Sequence, residues 1–199
     1  MFSLTLIRPG STEFDEQHRI QGALDLPLSS EGEHEIDAAI ESLRERGIKT
    51  IYTAPNEPAL STAQRIGKAL SIRVKELEGL SNCNLGLWQG LTIEEIKRKY
   101  PKVYKQWKES PDRVKPPQGE DKEDALTRAM KALSKPFKRE VPFGVVVCEP
   151  LATFLACSLK QCKHALPNTY CEKERAPLIE QLDLESSDGE LKAIVTGSR

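Results

Sequence analysis

The chain lacks most of the features that announce a class. No run approaches about 18 consecutive apolar residues, so no membrane-spanning helix is expected. Met1-Phe2-Ser3-Leu4-Thr5-Leu6-Ile7 is too short for a secretory leader and has neither a charged start nor a cleavage site. It alternates as a strand does. Charge of one sign is missing too: 29 basic and 30 acidic residues leave a net charge of −1, which removes any global reason to bind nucleic acid or an anionic membrane. The local cluster Lys97-Arg98-Lys99 reads as a solvated helix face. Repeats and low-complexity linkers are absent. The five cysteines are odd in number and scattered, which suits a reducing compartment better than a disulfide framework, so the cytoplasm is expected. Cys157, Cys162 and Cys171 match no zinc spacing, and His164 is the one imidazole near them, so ordinary thiols are expected and no metal or other cofactor.

What is present describes an ordinary globular protein. A chain of 199 residues, 38% apolar and 30% charged, can bury a real core and is read as one domain over residues 1–199. A short apolar strand is expected at residues 3–8, ahead of a Gly-containing loop. Ser29-Ser30-Glu31 offers a helix start, followed by Ile36, Ala39, Ile40 and Leu43 at helical spacing, with Gly47 placed as a terminator. A strand at residues 50–53, a helix at 57–70 and a strand starting at Ile72 follow. Residues 78–119 break this rhythm and read as an inserted helical lobe over one end of the sheet, with a capping box at Thr92-Ile93-Glu94-Glu95. Tyr100, Tyr104, Trp107 and Trp88 give this lobe its aromatic bulk. Packing is the expectation for Trp107, whereas Trp88 is open between packing and lining a ligand groove. A helix at residues 120–135, a buried strand at Phe143–Cys148 and a helix with Pro150 in its first turn complete the pattern. The tail, 177–196, reads as a terminal hairpin turning at Asp188-Gly189. Strands alternating with helices define an α/β fold, an open, mostly parallel sheet with helices on both faces.

Several blocks carry a more specific pattern. They are Leu6-Ile7-Arg8-Pro9-Gly10-Ser11-Thr12 with Arg19-Ile20-Gln21-Gly22, then Tyr52-Thr53-Ala54-Pro55 continuing to Ser61-Thr62-Ala63, Leu85-Gly86-Leu87-Trp88-Gln89-Gly90, Pro117-Gln118-Gly119-Glu120, and Val145-Val146-Val147-Cys148-Glu149. Their order and spacing resemble the histidine phosphatases, the phosphoglycerate-mutase-like superfamily. That resemblance implies a pocket in which a histidine attacks phosphorus. Here the nucleophile's position is Pro9, which has no lone pair to offer. The second arginine clamp falls on Pro58, the proton-donating glutamate on Asn82, and the second histidine on Glu149, with Pro150 in place of the following glycine. The asparagine that often faces phosphate falls on Asp15. Of the central charged set only Arg8 survives.

The resemblance therefore implies a degenerate member, a pseudoenzyme with no catalytic residues at those positions. Arg8, Asp15, Gln21, Asn82 and Glu149 remain as candidate ligand-binding residues. Arg8 is expected to pair with Glu149 in the phosphate's place, because a guanidinium under the sheet edge would otherwise be a buried, unpaired charge. Asp15 is a further candidate to face it. His18 and His34 read as surface histidines, and Cys148 as a core thiol that Glu149 would keep protonated. The leading expectation is a binding, scaffolding or regulatory protein with an unidentified protein or small-molecule partner, and a homodimer by analogy alone. The alternative is a diverged hydrolase or transferase in the same crevice, with Asp15 and Glu149 as acid and base.

Overall fold

A computed structural model describes residues 1–109, 114–161, 178–187 and 190–193. Its strands are β1 (Phe2–Ile7), β2 (Thr50–Thr53), β3 (Arg73–Glu76), β4 (Phe143–Val146), β5 (Ile179–Ser187) and β6 (Glu190–Ala193). They form one sheet in the order β3-β2-β4-β1-β5-β6. The β3-β2-β4-β1 portion is parallel throughout, as its crossover helices require. The Phe143-Gly144-Val145-Val146 run of β4 is buried along its whole length, as an apolar strand with parallel neighbours on both sides should be.

Local rules account for most helix boundaries. α1 (Glu13–Glu16) is one turn. α2 (Ser30–Arg44) starts at Ser29, whose side chain accepts from the Gly32 amide, and it buries Ile36 and Leu43. α3 (Ala59–Leu70) packs on α2. α6 (Lys122–Phe137) packs on α7 (Leu151–Lys160), whose first turn Pro150 precedes. α6 runs two residues past its expected end, with Pro136 inside its last turn. Among the described residues no helix is long and apolar enough to cross a membrane.

The stretch 78–119 contains two single 3₁₀ turns, at Glu78–Leu80 and Gly86–Trp88, followed by α4 (Ile93–Lys99) and α5 (Pro101–Glu109). The capping box is formed: Thr92 N donates to Glu95 Oε2 at 2.9 Å and Glu95 N to Thr92 Oγ1 at 3.2 Å. Trp88 and Trp107 are both buried, with ring centroids 4.9 Å apart, and Tyr104 meets Trp107 edge-on at 6.1 Å. The aromatic bulk packs the lobe, and this places Trp88 in the core.

The tail pairs antiparallel, as a terminal hairpin does, and also joins the main sheet. β5 and β6 pair with each other, but β5 also lies antiparallel along all of β1, from Phe2↔Leu184 to Ile7↔Ile179. The alternation of Ile179, Gln181 and Asp183 against Glu180, Leu182 and Leu184 puts the second set on one face, and Leu182 and Leu184 are buried there. The Asp188-Gly189 turn lies outside the described residues, as do Cys162, His164 and Cys171.

Candidate functional site

The carboxyl ends of β1, β2 and β4 converge, and the residues that follow them build the site, as expected for an open α/β sheet. Arg8 directly follows β1. Its amide is held by the Leu178 carbonyl at 2.8 Å, and its side chain is only 6% exposed. The guanidinium Nε donates to Glu149 Oε1 at 2.6 Å and Nη1 to Glu180 Oε2 at 3.2 Å. Glu149 follows β4, and its carboxylate also accepts from Thr153 in the first turn of α7, from Oγ1 at 2.9 Å and from the amide at 3.2 Å. The pairing of Arg8 with Glu149 expected from the sequence is thus present.

The second carboxylate on Arg8 is Glu180, which the sequence reading did not single out. It sits opposite Leu6 in the β1–β5 register and pairs with Lys160 at the end of α7. Burial pushes the Glu180 carboxyl up, but the hydrogen bond and charge of Lys160, joined by Arg8, outweigh it and hold the group below its ordinary value. A signal was available: Glu180 shares its strand face with Leu182 and Leu184, and a carboxylate on a core-facing position needs a cation. Asp15, by contrast, is exposed on α1, and its Oδ2 accepts from Thr12 N at 2.8 Å and Thr12 Oγ1 at 2.9 Å. It acts as the partner of a helix cap.

The loop after β1 uses its amides internally. Gly10 N donates to Thr62 Oγ1, Ser11 N to Glu35 Oε2 and Thr12 N to Asp15 Oδ2. Pro9, just before them in the chain, is buried and has no amide proton to give. Pro58 is buried at the start of α3. Gln21 is half-buried, and its Nε2 donates to the Leu24 carbonyl at 3.0 Å and the Glu57 carbonyl at 3.4 Å.

Asn82 ties two sides of the crevice together. Its Nδ2 donates to the Gly22 carbonyl at 2.7 Å and to the Glu149 carbonyl at 2.8 Å, while Oδ1 is buried without a hydrogen-bond partner. The Asn82 carbonyl is held in turn by Arg128, which also grips the Gly79 and Ser81 carbonyls and the Glu120 carboxylate. Beside Asn82 lies a cavity of about 20 Å³ bordered by Gly22, Ala54, Asn56, Glu57, Asn82 and Cys148. That cavity has room for a water molecule. His18 and His34 are exposed and Cys148 is buried. Among the described residues no three His, Cys, Asp or Glu side chains cluster as metal ligands do.

A family model, the histidine phosphatase superfamily (branch 1), matches residues 4–157. The chain belongs to that superfamily. It is 29% identical over 147 residues to phosphoserine phosphatase 1 of Hydrogenobacter thermophilus, covering 74% of this chain and 70% of that protein. It is 30% identical over 141 residues to a glucosyl-3-phosphoglycerate phosphatase of Mycobacterium tuberculosis, covering 71% of this chain and 63% of that one. It spans only 34% of a longer bifunctional protein of the same organism, at 32% identity. A solved mycobacterial glucosyl-3-phosphoglycerate phosphatase shares the fold with a TM-score of 0.83, at 23% identity over 98% of both chains.

Proposed function

We propose that this chain is a member of the histidine phosphatase superfamily without phosphohistidine chemistry, acting as a binding, scaffolding or regulatory protein. The observation that carries this reading is the pairing of Arg8 with two carboxylates beside a buried proline at the nucleophile's position. Covalent phosphoryl transfer needs a nucleophile within reach of phosphorus, cations on the equatorial oxygens and a proton for the leaving oxygen. Pro9 cannot attack, Pro58 carries no charge, and Asn82 is an amide whose nitrogen is committed to two carbonyls. Each lost electrostatic donor costs on the order of 2.7–4 kcal/mol, roughly a factor of 10² to 10³ in rate. A phosphate dianion entering the crevice would also meet the Glu149 and Glu180 charges.

The names of the relatives favour a second reading: they are phosphatases, and a diverged phosphatase or mutase-like enzyme would use Asp15 and Glu149 as acid and base. Both carboxylates would first have to leave the bonds that hold them, to Thr12 and to Arg8 and Thr153. The deciding experiment is hydrolysis of an aryl phosphate, phosphoserine and glucosyl-3-phosphoglycerate by the purified chain, with Arg8→Ala as control. No turnover above the control is expected. Turnover that disappears with Arg8 would establish the phosphatase reading in its place.

A further inference from the structure

Three donors converge on one carboxylate in the crevice. Arg8 Nε and Thr153 Oγ1 both reach Glu149 Oε1, at 2.6 and 2.9 Å, and the Thr153 amide reaches Oε2 at 3.2 Å. A buried guanidinium, a hydroxyl and a main-chain amide aimed at two oxygens of one group make a charge-assisted oxyanion seat. The oxyanion in it is the protein's own side chain. Glu149 is also held through its main chain, because its carbonyl accepts from Asn82, which bridges to Gly22. Arg128 fixes the Ser81 and Asn82 carbonyls behind that bridge. Glu180, braced by Lys160, takes Arg8 Nη1. The occupant is therefore fixed at its head by Arg8 and Thr153 and at its backbone by Asn82.

We propose that Glu149 is the internal occupant of an oxyanion site, an autoinhibitory contact that keeps phosphate-like ligands away from Arg8. A tethered carboxylate competes at an effective concentration in the millimolar range or above without losing translational freedom. A free dianion must displace it and then lie beside the charge it displaced. Truncating Glu149 removes the competitor and the nearer of the two negative charges, with Glu180 still held on Nη1, and leaves Arg8 Nε and Thr153 to receive an anion. This inference rests on the non-catalytic reading above only in expecting the parent chain to bind inorganic phosphate poorly.

Titration calorimetry with inorganic phosphate near neutral pH, at matched ionic strength, tests it on the full chain. The parent is expected to show no saturable binding in the millimolar range. Glu149→Ala should bind at least about tenfold more tightly, and adding Arg8→Ala should abolish the gain. Glu149→Gln keeps the side-chain volume while removing its charge, so it carries the test if Glu149→Ala does not fold as judged by circular dichroism. A folded Glu149 variant that binds phosphate no better than the parent, or that still binds after Arg8 is removed, overturns the proposal. Turnover by the parent would overturn the functional reading instead, so the two failures are distinguishable.

Discussion

The Arg8 guanidinium lies 2.6 Å from the carboxylate of Glu149, a residue 141 positions away in the sequence. Arg8 directly follows the central strand β1 and Glu149 follows its parallel neighbour β4, so sheet pairing delivers both to the same edge. Glu180 arrives from the other side of β1. One buried cation is thereby shared between a carboxylate just past β4 and one on β5, the two strands that flank β1.

Arg8→Met should be costly, because it takes the cation from Glu149 and one of two cations from Glu180, whose side chains are only 21% and 19% exposed. Breaking a buried pair by removing one partner typically costs 3–5 kcal/mol, and about 3 kcal/mol is expected here given that residual exposure. Urea denaturation reads this as a lower midpoint at unchanged slope. A loss below about 1 kcal/mol, the range of surface pairs, would mean that the guanidinium is not holding the crevice together.

Acid sensitivity should run through Glu180. Burial raises its pKa, Lys160 and Arg8 together lower it further, and the folded-state value ends below the ordinary 4.5. Between those two values the unfolded chain binds the proton and the folded one does not, so stability rises with pH there. The contribution is complete above about 4.5 and is lost as the pH falls through the lowered value. Glu180→Gln is expected to flatten the acid limb of urea midpoints measured against pH. An equally steep acid limb in the variant would assign that limb to other carboxylates.

Gly32 is the contact point between α2 and the loop after β1. A Cβ placed on it would lie 2.1 Å from the Ser11 carbonyl oxygen and 2.6 Å from the Ser11 nitrogen. Both are backbone atoms, so no side chain can swing aside. Gly32→Ala should destabilise by about 1–3 kcal/mol, as overpacking does, even though alanine is the better helix former. A neutral or stabilising outcome in thermal unfolding would show that helix and loop separate easily.

The lobe should depend on its paired indoles. Trp107→Ala removes a buried ring that packs at a tilt against Trp88 and is expected to cost about 3–5 kcal/mol. Near-ultraviolet circular dichroism would lose the signal of the coupled rings. A variant with parental stability would place this helical insertion outside the cooperative core.

Cys83 should be chemically silent in the folded chain. Burial, reinforced by the Glu120 charge, pushes its thiol up to about 12, leaving almost no thiolate at neutral pH. Mass spectrometry after maleimide treatment should find Cys83 unmodified until denaturant is added. Rapid native labelling would mean that the segment after the first 3₁₀ turn opens readily.

Local chemistry made much of the fold legible. Ser29 and the Thr92–Glu95 box mark helix starts because their side chains bond to amides three residues on, a relationship contained in the sequence spacing. β4 declares itself by an uninterrupted apolar run. The candidate site was legible where one residue's chemistry demanded a partner: Arg8 at a strand end needs a carboxylate, and Glu149 was the one the pattern supplied. Asp15 was harder to place, since a carboxylate near a pocket loop can face the pocket or cap the helix it begins. Its spacing of three from Thr12 fits the cap found here.

The amino-acid sequence by itself determined that this is an α/β chain of the histidine phosphatase pattern and that Arg8, at the end of the first strand, is followed by a proline. Periodicity, capping and the identity of single residues are local properties, complete within a few positions. Only the tertiary structure decided that β5 runs antiparallel along β1, that Glu180 shares Arg8, and that Asn82 ties Gly22 to Glu149. The Arg8–Glu180 contact alone joins residues 172 positions apart. The energies of such contacts come from desolvated charge and from which strand neighbours which, and these exist only once the chain has closed on itself.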